Sequence, residues 1–313
     1  IEDHKGGGGQ EGVNAMNRLL TIHGTKIVMT SFTAPTLAIA PIADQQKVFL
    51  LNGGGVSPKL VGSSKYIFHN RSLSSDLANG VLLHAKGLGL KKMAQIHWKN
   101  EAGDSVVNAA VPIWKKLGGE IVATEAVPQG ATNMDTQIAK VRAANPDFIA
   151  LWMFNPEVGL AVKRIREFGM KQPLIGIEYT QNDAKIAGNT GEGFVYVNDF
   201  FQPSEDQPWS KQFADGYKKK HGVDPDFYAA NYYEGVYIIA ELLKRARAKA
   251  GGSAQIGDYA NGEAMKAALQ ENPKFDSVYG GQMVFQPNGV AFKRVALFKV
   301  EDGKGKFQKF LDL

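Results

Sequence analysis

The sequence predicts an α/β protein of two compact units, each built on parallel strands covered by helices on both faces. Three observations carry this. The chain has 313 residues, above the roughly 250–300 at which a single hydrophobic core stops growing. Short β-branched runs alternate with amphipathic stretches, which is the pattern of βαβ units and doubly wound layers. The rhythm then changes after residue 200, where long helices replace the alternation.

The elements follow in order. Ile1-Glu2-Asp3 reads as the tail of a strand, Gly6 to Gly9 as a loop, and a helix pattern starts near Glu11. An earlier strand and helix are expected ahead of Ile1. Strands are predicted at Lys26–Thr30, Val48–Leu51, Tyr66–His69, Met93–His97, Glu120–Val127, Asp147–Met153, Leu174–Ile177 and Phe194–Asn198. Helical patterns lie between them, including one carrying Ile138 and Val141 after a Thr132/Asn133 cap. Another, Glu157–Phe168, stops at Gly169, which suits the left-handed residue beyond a helix end. Two long helices follow, Trp209–His221 and Phe227–Ala250, the second with a 3.6-residue apolar period. The end returns to β structure at Gln282–Phe285 and Val295–Val300, with Asn288-Gly289 and Asp302-Gly303 as turns.

Composition excludes several functions. There are 36 Lys+Arg against 31 Asp+Glu, and the longest basic run, Lys218-Lys219-Lys220, falls on a solvated helix face. Nucleic-acid binding calls for a concentrated basic stripe, so none is expected. Without cysteine there is no disulfide framework, thiolate zinc site or catalytic thiol. No stretch reaches the roughly 20 apolar residues of a membrane span. Phosphate-loop, nucleophile-elbow and zincin motifs are missing. Gly53-Gly54-Gly55 follows a strand, but Pro58 breaks any dinucleotide-loop spacing. Of His4, His23, His69, His84, His97 and His221, only His97 has a carboxylate four residues away, Glu101, and it ends a predicted strand and so makes no metal-binding helix face; no metal or cofactor is expected. An enzyme would have to assemble its residues in space, and the empty motif search favours a non-enzyme.

Four strand ends carry binding chemistry. The first runs into Ser31-Phe32-Thr33-Ala34-Pro35, with Thr33 at or beside a helix N-cap, where N–H groups and a hydroxyl face outward; Thr33 is either a plain cap or a carboxylate contact. The second runs into Gly53-Gly54-Gly55, either a flexible turn or a place where a ligand meets backbone. The third ends in Trp152-Met153-Phe154-Asn155, apolar groups that either pack the core or face a ligand. The fourth ends in Glu178-Tyr179, either solvated or in contact with a ligand. Ligands of open α/β sheets bind at the carboxyl ends of strands, where all four lie.

These features, with Thr33-Ala34-Pro35-Thr36-Leu37-Ala38, Tyr66-Ile67-Phe68, Ala102-Gly103-Asp104, Asn145-Pro146-Asp147, Gly188 to Phe194 and the block from Phe213 through Tyr217, His221-Gly222 and Pro225 to Tyr233-Glu234, give the chain its resemblance. It resembles the type I periplasmic solute-binding proteins of ABC importers, in the leucine/isoleucine/valine-binding group, over essentially its whole length. The resemblance implies two Rossmann-like lobes joined by a three-strand hinge, residues 1–71 with 201–280 and residues 72–200 with 281–313. It also implies an exported, periplasmic, monomeric protein that serves a membrane permease and closes over a small molecule between the lobes.

Site residues carry over one by one. Ser31, Phe32 and Thr33 fall on the segment that holds the ligand carboxylate. Gly54, Gly55 and Val56 fall on the head-group segment, although Val56 lacks the hydroxyl used there. Ala102 falls where amino-acid binders often place an aromatic, which it cannot supply, and Asn100 is an expected ligand contact beside it. Glu178 matches the partner of the ligand ammonium, and Phe154 lies near a family aromatic. Asn155, Tyr179 and Tyr232 complete the expected contacts, with Trp98 and Trp152 as further lining. Arg71, at the first crossing, either forks onto a ligand carboxylate or pairs with Asp76 or Glu178. Loss of the hydroxyl at 56 and the aromatic at 102 favours an aromatic or other bulky organic acid. A branched-chain or other amino acid is the alternative, and a ligand-sensing regulatory domain on the same fold is the second.

Overall fold

A computed structural model of the chain describes residues 1–312. The first segment runs α1 (Gly9–Thr21), β1 (Ile27–Thr30), α2 (Thr33–Gln46), β2 (Phe49–Asn52) and β3 (Ile67–His69). Then come α3 (Ser74–Gly87), β4 (Lys92–Trp98), α4 (Glu101–Lys116), β5 (Glu120–Val127), α5 (Asp135–Ala143) and β6 (Phe148–Trp152). After these lie α6 (Glu157–Glu167), β7 (Leu174–Gly176), α7 (Gln181–Ala187), β8 (Val195–Asp199), α8 (Pro208–His221) and α9 (Phe227–Ala250). The chain ends with α10 (Ile256–Tyr259), α11 (Gly262–Glu271), β9 (Lys274–Asp276), β10 (Gln282–Phe285), β11 (Ala291–Phe292), β12 (Val295–Glu301) and β13 (Lys304–Phe310).

The chain divides into two units: residues 1–72 with 200–293, and 73–199 with 294–313. The last boundary therefore falls between Lys293 and Arg294, not near Gly281 as the sequence suggests. The reason is pairing: β10 joins β9 and β11 in an antiparallel sheet and so stays with the first unit.

In the first unit, β1, β2 and β3 form a parallel sheet in that order. Side chains of β2 alternate between its faces, as the strand period of 2 requires. Phe49 and Leu51 join Ile238, Leu242, Met265 and Leu269 of α9 and α11. Leu50 instead joins Met16, Ile39 and Ala43 of α1 and α2. Burying each such side chain contributes about 1.5–3 kcal/mol.

The second unit carries a seven-stranded sheet in the order β13-β12-β8-β7-β6-β4-β5. The strands from β4 to β8 pair in parallel, and β12 runs antiparallel to both β8 and β13. The central strand β6 is buried along its whole length, as expected where helices cover both faces. β13 is an exposed edge strand whose lysines discourage further pairing.

Three sequence expectations change. Ile1-Glu2-Asp3 is not a strand; Glu2 pairs with Arg18 of α1 instead. The N-cap of α5 is Met134 rather than Thr132 or Asn133, although Asn133 Oδ1 still accepts from the Asp135 N–H at 2.9 Å. Strands β9, β11 and β13 and helices α10 and α11 fall outside the predicted set: β9, β11 and α10 are short and β13 is mostly polar, while α11 does carry apolar residues at helical spacing in Met265, Ala268 and Leu269. Gly169, with φ 75°, does take the left-handed conformation beyond α6.

Candidate functional site

In the first unit the carboxyl end of β1 turns sharply into α2. Phe32 is the N-cap residue and sits at φ 59°, ψ 151°, a region that non-glycine residues rarely occupy and that clusters at functional sites. Two threonines hold it: Thr36 donates its hydroxyl to the Phe32 carbonyl at 2.6 Å, and the Thr30 and Thr36 hydroxyls lie 2.7 Å apart. No side chain caps α2, so backbone donors at its N-terminus are left to other partners. Thr33 is the first helical residue and is buried; its hydroxyl accepts from the Val56 N–H at 3.2 Å. This hydroxyl therefore braces the neighbouring loop.

The glycine loop is saturated from within. Asn52 Oδ1 accepts from the Gly54 and Gly55 N–H groups at 3.2 and 2.7 Å, and its Nδ2 donates to the Gly55 carbonyl at 2.8 Å. Asn231 Nδ2 donates to the Gly53 carbonyl, and Arg71 Nη1 to the Gly54 carbonyl. A Cβ on Gly54 would lie 2.5 Å from Ser31 Oγ and 3.0 Å from the Tyr232 hydroxyl. The glycines are thus needed for protein packing. Tyr232 is half-buried against this loop and donates its hydroxyl to the Thr30 carbonyl at 3.1 Å. Val56 is buried and contributes only its N–H.

Arg71 is fully buried. Its guanidinium lies 4.8 Å from the Tyr228 ring and 5.2 Å from the Phe227 ring, and Nη1 also donates to the Tyr228 hydroxyl at 2.8 Å. His69 is buried next to Asn52, with its Nδ1 3.1 Å from Asn52 Nδ2. Burial holds the His69 imidazole down at about 4, so it is the neutral acceptor of that bond.

In the second unit, β4 ends at Trp98, whose ring centroid lies 5.0 Å from that of Phe154. Both are buried, as is Ala102 on the adjoining α4. Asn100 caps α4, its Oδ1 accepting from the Gly103 N–H at 3.0 Å. Trp152 lies within the sheet of the second unit. It is fully buried at the end of β6 and donates Nε1–H to Gln95 Oε1 at 2.7 Å within the sheet core.

Glu178 lies just past β7 and is only 1% exposed; its Oε1 accepts from the Asn155 N–H at 3.2 Å. Asn155 Oδ1 accepts from Asn182 Nδ2 at 2.7 Å. Tyr179 packs on Phe194 and Tyr196 at 5.2 and 6.0 Å, and burial pushes its phenol up to about 12. Among the described residues, the Trp98 indole N–H and the Tyr179 hydroxyl are buried without a hydrogen-bond partner. No group of three or more His, Asp or Glu suited to a metal ion occurs among the described residues.

Sequence reasoning missed Asn52, Asn231, Tyr228 and Lys293. A signal existed for one of them: Tyr228 stands four residues before Tyr232 on α9, and so shares its face. Asn52, Asn231 and Lys293 gave none, since their importance comes from what the fold brings to them.

The chain belongs to the periplasmic binding protein family, whose profile it matches over residues 1–305. It is similar to the leucine-, isoleucine-, valine-, threonine- and alanine-binding protein of Pseudomonas aeruginosa, 23% identical over 225 residues, covering 70% of this chain and 58% of that protein. It is also similar to the Leu/Ile/Val/Thr-binding protein of Salmonella typhimurium, 23% identical over 245 residues, covering 76% of this chain and 64% of the relative. The chain thus spans roughly three fifths of the length of these relatives. Among solved structures, a leucine-binding protein of Thermotoga maritima superposes with a TM-score of 0.86 at 20% identity, covering 97% of this chain and 85% of that one. An ABC transporter solute-binding protein of Rhodopseudomonas palustris, in complex with 3,4-dihydroxybenzoic acid, gives 0.82 at 21%, covering 97% and 82%. These likenesses establish the type I periplasmic binding fold.

Proposed function

We propose that the protein is the extracytoplasmic solute-binding component of an ABC importer, and that it captures a small aromatic carboxylate by hinge closure of its two lobes and delivers it to a membrane permease without chemical change. The observation that carries this reading is a buried donor at a strand end of the second unit, Trp98 Nε1–H, which has no protein acceptor among the described residues. Buried polar groups are nearly always satisfied, so such a donor calls for a partner of its own. Trp98 stands beside Phe154 and the small Ala102, a setting for an aromatic ring carrying an acceptor. On the first unit, the uncapped N-terminus of α2 suits the carboxylate. The aromatic-acid reading is supported further by Asn52 and Thr33, which already accept from the Gly54, Gly55 and Val56 N–H groups.

A second reading, an amino-acid binder, is favoured by one observation: Glu178 is a buried carboxylate at a strand end, suited to a ligand ammonium. Calorimetric titration with 4-hydroxybenzoate and with L-leucine separates the two. Binding of 4-hydroxybenzoate alone supports the proposal; binding of L-leucine alone overturns the ligand class, and binding of neither overturns both readings.

A further inference from the structure

The chain passes between its units three times, after Ser72, after Asp199 and after Lys293. On the first unit's side, all three passages are tied to one buried polar cluster centred on α9. Asn70, just before the first passage, donates from Nδ2 to the Asn231 carbonyl at 3.0 Å. Phe201, just after the second, packs edge-on against Tyr279 at 5.3 Å. Lys293, at the third, places Nζ 2.7 Å from Glu234 Oε2 and 3.0 Å from Asn231 Oδ1, and 3.7 Å from the centre of the Tyr279 ring. Tyr279 in turn donates its hydroxyl to Asn231 Oδ1 at 2.6 Å. With two donors on Oδ1, the amide must turn Nδ2 the other way, where it donates to the Gly53 carbonyl at 3.2 Å.

The side chains of Lys293 and Glu234 are 3% and 0% exposed. Stripping water from such a pair offsets most of its attraction, and apolar replacement of both members is often neutral or stabilising. Stability alone therefore does not explain the pair. We propose that Lys293 and Glu234 are positioning residues: with Asn231 and Tyr279 they fix all three passages to the first unit and, through Gly53, fix the glycine loop in the same frame. Motion of the passages then begins beyond Ser72 and beyond Lys293, while the segments before them stay rigid. The consequence for ligand capture rests on the solute-binding reading; the structural claim does not.

The test uses Lys293→Met, Glu234→Leu and the double variant, all in ligand-free protein. Each single variant leaves one buried charge unpaired and should lower Tm, and the double variant should recover part of that loss, since the Ser277 hydroxyl and the Val278 N–H still lose the Glu234 carboxylate that accepts from them. Amide hydrogen exchange at residues 53–55 and 70–72 in the double variant should nevertheless run at least about tenfold faster than in the wild type, since the anchor is gone. A double variant with wild-type Tm and wild-type exchange at both segments overturns the proposal and leaves only a buried ion pair. Should the single variants fail to fold, the double variant alone decides. The wild-type titrations with 4-hydroxybenzoate and L-leucine judge the solute-binding reading separately, because the exchange measurement needs no ligand.

Discussion

Arg71 Nη1 donates to the Gly54 carbonyl at 2.9 Å and to the Tyr228 hydroxyl at 2.8 Å, so one nitrogen joins the end of the first chain segment to both the glycine loop and α9. The planar guanidinium also lies over two aromatic rings, which a lysine ammonium cannot reproduce. Arg71→Lys and Arg71→Met are both expected to destabilise the fold, Met by about 2–3 kcal/mol through loss of charge-assisted bonds in a buried setting. Urea unfolding measures this. Wild-type stability in Arg71→Met would mean that the residue serves the ligand and not the loop.

Trp98→Phe and Tyr179→Phe remove donors that find no protein acceptor among the described residues. A buried unsatisfied donor costs about 1–3 kcal/mol, so the ligand-free variants should be as stable as the wild type or slightly more so. Affinity for 4-hydroxybenzoate should nonetheless fall in Trp98→Phe, by roughly tenfold for a lost bond of about 1.4 kcal/mol, and should hold in Tyr179→Phe, whose hydroxyl packs against Gly191. Thermal melts and calorimetry read the two effects independently; lowered stability with unchanged affinity in Trp98→Phe would show that the indole serves packing.

His69 makes the fold sensitive to acid. Its folded value of about 4 lies below its ordinary 6.5 because burial disfavours the charged ring. Between those two values the unfolded chain binds more protons, so stability is complete above pH 6.5 and declines as the pH falls towards 4. The loss amounts to roughly 3 kcal/mol. His69→Gln should remove this part of the pH dependence in urea unfolding at neutral pH and near pH 4; an unaltered slope would assign the acid sensitivity to other groups.

Two glycine substitutions should have opposite signs. Gly54→Ala pushes a methyl against Ser31 Oγ and the Tyr232 hydroxyl, and overpacking of this kind costs about 1–3 kcal/mol. Gly216, within α8, has nothing near its would-be Cβ, and Gly216→Ala should stabilise by about 0.5–1 kcal/mol. Denaturant midpoints give both. A neutral Gly54→Ala would mean that the loop yields easily and that its packing does not fix it.

Thr33→Ala strips the acceptor from the buried Val56 N–H and should cost about 1–3 kcal/mol, whereas Thr33→Ser retains the hydroxyl and most of the stability. The comparison by thermal unfolding separates the hydroxyl's bracing of the loop from any part the α2 N-terminus plays in ligand affinity.

The strand and helix alternation was legible because its signals are local. β5 spans Glu120–Val127 and α9 spans Phe227–Ala250, as the runs of β-branched and 3.6-period residues indicate. The strand-end position of Thr33, Glu178 and Phe154 follows from the same patterns. Their roles do not. Whether the Thr33 hydroxyl faces a ligand or Val56, and whether glycines at 53–55 invite a ligand or Tyr232, depends on which distant segments the fold places against them. Trp152 and Trp98 look alike in sequence, yet one donates to Gln95 in the sheet core and the other finds no acceptor among the described residues. The sequence by itself determined the layers, the absence of cysteine chemistry and the family. Only tertiary structure decided the glycine loop's partners and the anchoring of all three passages on Asn231, Glu234, Tyr279 and Lys293, because side-chain hydrogen bonds and ion pairs between residues up to 202 positions apart leave no local pattern in the chain.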